Sequence, residues 1–152
     1  MTSEFVHLHN HSDYSLLDGA QKIDQLVNTI DDLNMDAVAL TEHGNMFSVL
    51  PYYKQAKKAG IKPIIGCEIY VAVGSRFEKK TRSDGGWGNN HLILLAQNFT
   101  GYKNLMKLVT AGYLEGFYYR PRIDMDLLRQ YSEGLICMSA CLKGVVPEKM
   151  LK

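Results

Sequence analysis

Short, near-continuous apolar runs alternate along this chain with segments whose apolar residues recur at helical spacing, and that alternation restricts the fold more than any other feature. Ile23, Leu26, Val27, Ile30 and Leu33 mark one face of a helix over 23–35. The stretch FVHLHNH (5–11) reads as a strand, and DAVALTEHG (36–44) as a second with its polar residues bunched at the end. MFSVLPYYKQAKKAG (46–60) predicts a helix with Pro51 in its first turns and Gly60 at the stop. KPIIGCEIYVAV (62–73) and HLILLAQN (91–98) supply a third and a fourth strand. TGYKNLMKLVTAGYLEG (100–116) is a helix with Thr100 as its N-cap, DMDLLRQYSEG (124–134) a shorter one, and LICMSACL (135–142) a fifth strand. Apolar strands separated by helices predict an α/β fold, with the strands paired in parallel and the helices outside. At 152 residues one domain is expected.

The polar residues fall where such a fold keeps its chemistry. His9 and His11 end the first strand, Glu42 and His43 the second, and Cys141 the fifth, while Glu68 lies inside the third. In a closed parallel barrel these carboxyl ends converge on one mouth. His91 opens its strand, so parallel pairing brings it there only if the preceding DGGWGNN loop carries it.

HLHNHSDYSLLDG (7–19) holds three of the chain's five histidines at alternate positions, so that His7, His9 and His11 share one face of a strand. Each buried ring nitrogen needs a partner, which a metal ion, a neighbouring polar group or solvent at a strand edge can provide. Imidazole and thiolate suit zinc, and carboxylates bridge two cations. Four histidines, two carboxylates and a thiol exceed what one zinc uses. The excess points to a multinuclear site of the kind that clamps both oxygens of a phosphoryl transfer.

Composition excludes little but narrows the setting. The 17 basic and 16 acidic residues give a net charge of +1, no electrostatic footprint for nucleic acid. Three cysteines form no disulfide framework and no signal peptide precedes Phe5, so a reducing cytoplasm is expected. No apolar run reaches the length of a membrane span. SRFEKKTRSDGGWGNN (75–90) offers Arg76, Lys79, Lys80, Arg82 and Trp87 as a guide for a single strand, or else an ordinary solvated loop. In YYRPRID (118–124), Arg120 and Arg122 flank a rigid proline and are candidates for a bidentate grip on phosphate, or for surface salt bridges. Glu42 reads as an acid orienting a histidine or as a surface group. Cys67 faces away from Glu68 into the core, and Cys137, on the strand face of Cys141, is assigned to core packing.

The runs HLHNHSDYSLLDG, ALTEHGNMFS, GIKPIIGCEIYVA, NHLILLAQNFTGYKNLMKL, GFYYRPRID and GLICMSACLKG together resemble the PHP (polymerase and histidinol phosphatase) domains that open bacterial replicative DNA polymerase III alpha subunits, from Phe5 to the last residues. The resemblance implies a distorted barrel of seven β/α units with up to three divalent metals at its mouth, zinc, manganese or iron. It carries over His9, His11, Asp18, His43, Glu68, His91 and Cys141 as ligands and leaves His7 outside the site. The family's later Asp-x-His pair has no counterpart before Lys152, so residues 1–152 are expected to be the first five or so strands of a longer domain, itself followed by polymerase domains. The implied activity is phosphodiester hydrolysis by a metal-bound water, resembling proofreading from 3′ to 5′. The implied partners are DNA at a nascent 3′ terminus, the remaining polymerase domains and other replisome subunits, with no membrane. A non-catalytic metal-stabilised docking module and a stand-alone phosphatase of small esters are the alternatives.

Overall fold

The computed structural model describes residues 5–80 and 88–151 as a mixed α/β structure. Helix α1 (Ile23–Asp32) buries Ile23, Leu26, Val27 and Ile30, the face read from the sequence. Strand β1 (Ala37–Leu40) is buried throughout. Helix α2 (Val49–Lys58) buries Tyr52 and Ala56 against α1 and β1, and the Tyr52 hydroxyl donates to the Val38 carbonyl. Pro51 sits in its first turn, where no intrahelical N–H partner is lost.

Strand β2 (Lys62–Ala72) is the spine of a five-stranded sheet. Its first half pairs in parallel with β1, and further along Tyr70 and Val71 pair in parallel with the two-residue β4 (Arg122–Ile123). Against its other edge lies β3 (Asn89–Ala96), followed by β5 (Leu135–Met138). Here the expectation of all-parallel pairing fails, because β3 runs antiparallel to both β2 and β5. A parallel return needs a long crossover, usually helical. No helix lies between β2 and β3 among the described residues, so β3 simply folds back.

The first predicted strand is also corrected. Residues 5–11 run beside β1 but make a single bridge, His7 to Val38. The Asn10 carboxamide donates to the Ala39 carbonyl at 3.0 Å, occupying an acceptor that a continued ladder would use. Helix α3 (Phe99–Leu114) is capped by Asn98, whose side chain accepts from the Gly101 N–H at 3.0 Å; Thr100 lies inside the first turn and is not the cap. The short helices α4 (Met125–Gln130) and α5 (Val145–Met150) precede and follow β5.

Alternation along β2 and β3 gives the sheet two different faces. Cys67, Ile69, Val71, Leu92 and Leu94 pack on Leu105 and Leu108 of α3 and on Leu127 and Leu128 of α4. Burial of each leucine there contributes about 1.5–3 kcal/mol. Burial pushes the Cys67 thiol well above its ordinary range, as suits a core residue. Cys137, expected in the core, is exposed, because β5 is the outermost strand of the path and neither of its faces is covered at Ile136 and Cys137. The opposite face of β2 and β3 carries Glu68, Tyr70, His91 and Ile93, and the functional groups gather there.

Candidate metal centre

Glu68 projects from the middle of β2 with its side chain only 4% exposed, and four imidazoles surround it. His9 Nε2 lies 2.7 Å and His11 Nε2 3.2 Å from Oε2. His91 Nδ1 lies 2.6 Å and His43 Nδ1 3.7 Å from Oε1. The antiparallel turn of β3 accounts for His91. In register Tyr70 faces His91 and Glu68 faces Ile93, so His91 is a diagonal neighbour of Glu68 and reaches it without help from the preceding loop.

A second group forms around His43, which an isolated bridge to Glu68 places at the end of the β1 segment. Its Nε2 lies 2.7 Å from Asp18 Oδ2, and its ring stacks on that of His11 at 4.0 Å and 13°. Asp18 is brought in by a closed loop over residues 12–19. Gly19 packs so tightly there that a Cβ would meet the Ser12 carbonyl oxygen at 1.7 Å. Gly44, at φ +63°, lets the chain turn away directly after His43.

Glu42 lies beneath this loop and is buried, not a surface acid. Its carboxylate accepts from the Ser12 backbone N–H at 3.2 Å and from the hydroxyls of Ser12 and Ser15. Ser15 Oγ in turn accepts from the His43 backbone N–H at 3.1 Å, so Glu42 positions the backbone of His43 through a serine. Ser12, Ser15 and Tyr70 were not singled out by sequence reasoning. Tyr70 was within reach of it, two residues beyond Glu68 on the same strand face; its ring lies 6.2 Å from His43 and 5.1 Å from His91.

Burial raises the cost of charge on Glu68, but hydrogen bonds from His11 and His91, the charge of His43 and a hydrogen bond from His9 outweigh it and hold the carboxyl well below the usual range. His11 shows the same balance in a base, so its pKa moves the other way. Burial disfavours its charged form, yet Glu68, Asp18 and Glu42 together raise its pKa above the ordinary value.

The donor set suits divalent cations. His9 Nε2 and His11 Nε2 lie 3.0 Å apart on one carboxylate oxygen. Ligands around a tetrahedral ion with bonds of about 2.0–2.1 Å are roughly 3.3 Å apart, and these three atoms stand a little closer, at 2.7–3.2 Å. His9, His11 and Glu68 form one triad and His11, Asp18 and His43 another, each with its donor atoms within 4.8 Å of one another. His11 Nδ1 and His43 Nδ1 are buried with no hydrogen-bond partner among the described residues. Cys141, exposed and beyond the end of β5, stands apart from both triads with its Sγ 3.7 Å from His91 Nδ1. His7 is exposed, against Phe5.

The arginine pair divides. Arg120 is half-buried at the rim, donating to the Tyr70 hydroxyl at 2.6 Å. Arg122 is 1% exposed and cannot grip a substrate phosphate. Its guanidinium donates instead to the carbonyls of Gly116 at 3.0 Å and Glu78 at 2.9 Å. Arg76 is likewise unsuited to guide a strand, being paired with Glu115 at 2.6 Å and Asp124 at 3.0 Å. Lys79 and Lys80 are exposed; Arg82 and Trp87 lie outside the described residues. No described helix is long and apolar enough to cross a membrane.

The family profile described as the PHP domain matches residues 7–152. Among curated proteins, the chain is 60% identical over 149 residues to DNA polymerase III subunit alpha of Borreliella burgdorferi, covering 98% of this chain and 13% of that protein. It is 53% identical over 148 residues to the corresponding subunit of Treponema pallidum, covering 97% of this chain and again 13% of the relative. Among solved structures, an amidohydrolase from Chromobacterium violaceum is similar at 20% identity and a TM-score of 0.49, over 70% of this chain and 32% of that one.

Proposed function

The chain belongs to the PHP domain family, and from that premise we infer that it is a divalent-metal phosphoesterase module of a DNA polymerase III alpha chain, hydrolysing the terminal phosphodiester of a DNA strand from 3′ to 5′ in proofreading. The observation that carries this reading is the buried carboxylate of Glu68 ringed by His9, His11, His43 and His91, which come from three separate segments of the chain.

His9, His11 and Glu68 would hold one cation, or His11, Asp18 and His43 one in their place, since a neutral imidazole gives its lone pair to a single cation; His91 and Cys141 stand beside the other Glu68 oxygen for a further one. Bound there, zinc, manganese or iron would supply Lewis acidity, stabilising charge on the phosphoryl oxygens and easing attack by water. The chain's own groups do the rest. Glu68 stays ionised and fixes the imidazoles around it; the Glu42 and serine support holds His43 and the Asp18 loop in register. Arg120, steadied on Tyr70, offers its guanidinium to a substrate phosphate at the rim.

Elemental analysis of the purified protein and digestion of a single-stranded oligonucleotide labelled at its 5′ end test the reading together. Bound zinc, manganese or iron and stepwise shortening from the 3′ end are expected, with His43→Ala lowering the rate at least about 100-fold while the thermal midpoint stays within a few degrees. A metal-free, inactive protein overturns the reading, and collapse of folding in His43→Ala with no wild-type hydrolysis points to a structural role for the metals.

A further inference from the structure

Beside the metal centre lies a cleft of about 520 Å³, and His43 lines both. One wall carries Phe47 and Tyr113, with ring centroids 6.2 Å apart. Tyr113 continues the row to Phe117 at 6.3 Å with an interplanar angle of 26°. All three rings are exposed, Phe47 at 65%, a costly state for adjacent aromatic side chains unless they receive something flat. Leu16 and Leu17, among the most exposed apolar residues described, form another part of the lining.

The backbone of Phe47 is anchored beside the metal centre. Asn45 is buried, accepts from the Phe47 backbone N–H at 3.1 Å and donates to the His43 carbonyl at 3.1 Å. One carboxamide therefore fixes the Phe47 backbone relative to His43. Arg120 lines the same cleft; a guanidinium carries five donors, and Tyr70 takes one from it. Asp13, also in the lining, balances that charge, so electrostatics alone would not draw a polyanion here, and the rings must supply the selectivity.

We propose that the row Phe47–Tyr113–Phe117 is a stacking platform for the terminal bases of the strand whose end enters the metal centre, with Arg120 holding the phosphate between base and cations. The proposal rests on the hydrolytic reading above and deepens it. Stacking of a base on an aromatic side chain is tolerant of sequence because every base has a π-face, and removing such a ring typically costs about 1–3 kcal/mol per base. A segment of another protein would also cover aromatic rings. A nucleobase is favoured because the wall begins at a ligand-bearing segment and shares its cleft with the rim guanidinium.

Two measurements on the full chain loaded with manganese test it. The first is the ratio of kcat/KM for thymidine para-nitrophenyl phosphate, which has a base, to that for bis(para-nitrophenyl) phosphate, which has none. Phe47→Ala is expected to lower this ratio about tenfold and Phe47→Trp to restore it. The second is photo-crosslinking of an oligodeoxynucleotide ending in iodouracil, with the attached peptide identified by mass spectrometry. A crosslink to the peptide containing Phe47 or Tyr113, lost in Phe47→Ala/Tyr113→Ala, supports the platform. An unchanged ratio, or crosslinks confined to other regions, overturns it. If wild type hydrolyses neither ester, the hydrolytic reading falls, and the crosslink alone decides whether bases occupy this wall.

Discussion

Asp124 ties three segments together through one carboxylate. It caps α4 by accepting from the Leu127 N–H at 3.0 Å, and it accepts from the backbone N–H of Arg76 at 3.0 Å and from its guanidinium at 3.0 Å and 3.1 Å. Burial works against its charge, but these donors prevail and hold its pKa below the ordinary carboxylate value. A carboxyl depressed in the folded state stabilises the fold above its unfolded pKa, near 3.9, and loses that contribution as pH falls through the folded value. Asp124→Asn keeps a capping oxygen but removes the charge. Urea unfolding at pH 7 is expected to show a loss of about 1–3 kcal/mol, constant down to about pH 4 and shrinking below it. A loss that persists undiminished at the lowest pH where the fold survives would show that shape, not charge, carries the effect. Arg122 marks a limit of the sequence at this scale. Its partners are carbonyls of Gly116, Arg76 and Glu78, and a carbonyl leaves no trace in residue type, so nothing in YYRPRID distinguished a buried arginine from one free to meet phosphate.

Among the elements, apolar periodicity located α1, β1, β2 and β3 through their buried faces, and it located the alternation that puts Cys67 and Glu68 on opposite sides of β2. It said nothing of direction. A continuous apolar run such as HLILL reads alike in a parallel or an antiparallel strand, so the reversal of β3 was visible only as the misplacement of His91. Edge position was equally hidden, and with it the exposure of Cys137. Close approach between elements is a further property that spacing cannot reveal. The first turn of α3 lies against the turn before β5 so tightly that a Cβ at Gly101 would stand 1.8 Å from the Gly134 carbonyl oxygen. Gly101→Ala must therefore push α3 away from that turn and disturb the Asn98 cap, which bonds the same N–H. A destabilisation of about 2–4 kcal/mol is expected in chemical denaturation, although alanine favours helix by about 1 kcal/mol over glycine in the abstract. A neutral or stabilising result would mean that the contact relaxes freely.

At the scale of the whole molecule, the candidate centre gathers residues as distant in sequence as His9 and His91, brought together by the segment before α1, the loop over residues 12–19, the end of the β1 segment, β2 and β3. The resemblance of motifs proposed these positions together; the physical reason they come close, a buried carboxylate on the inner face of β2 with β3 folding back beside it, needed the structure. Such a centre couples cation binding to folding, because the unfolded chain scatters its donors. A cation present at about 100 times its dissociation constant stabilises the folded state by about 2.7 kcal/mol. For a chain of this size that corresponds to a rise of roughly 5–10 °C in thermal midpoint. Thermal unfolding followed by circular dichroism, first after exhaustive chelation and then with excess manganese or zinc, is expected to show that rise and its reversal on renewed chelation. His9→Ala and Glu68→Gln should diminish the gain by different routes. The first removes one imidazole donor from the first triad, whereas the second removes the charge around which all four imidazoles are arranged, so Glu68→Gln should diminish it more. Wild-type midpoints that agree within about 1 °C with and without metal would show that the convergence of imidazoles on Glu68 serves the fold alone.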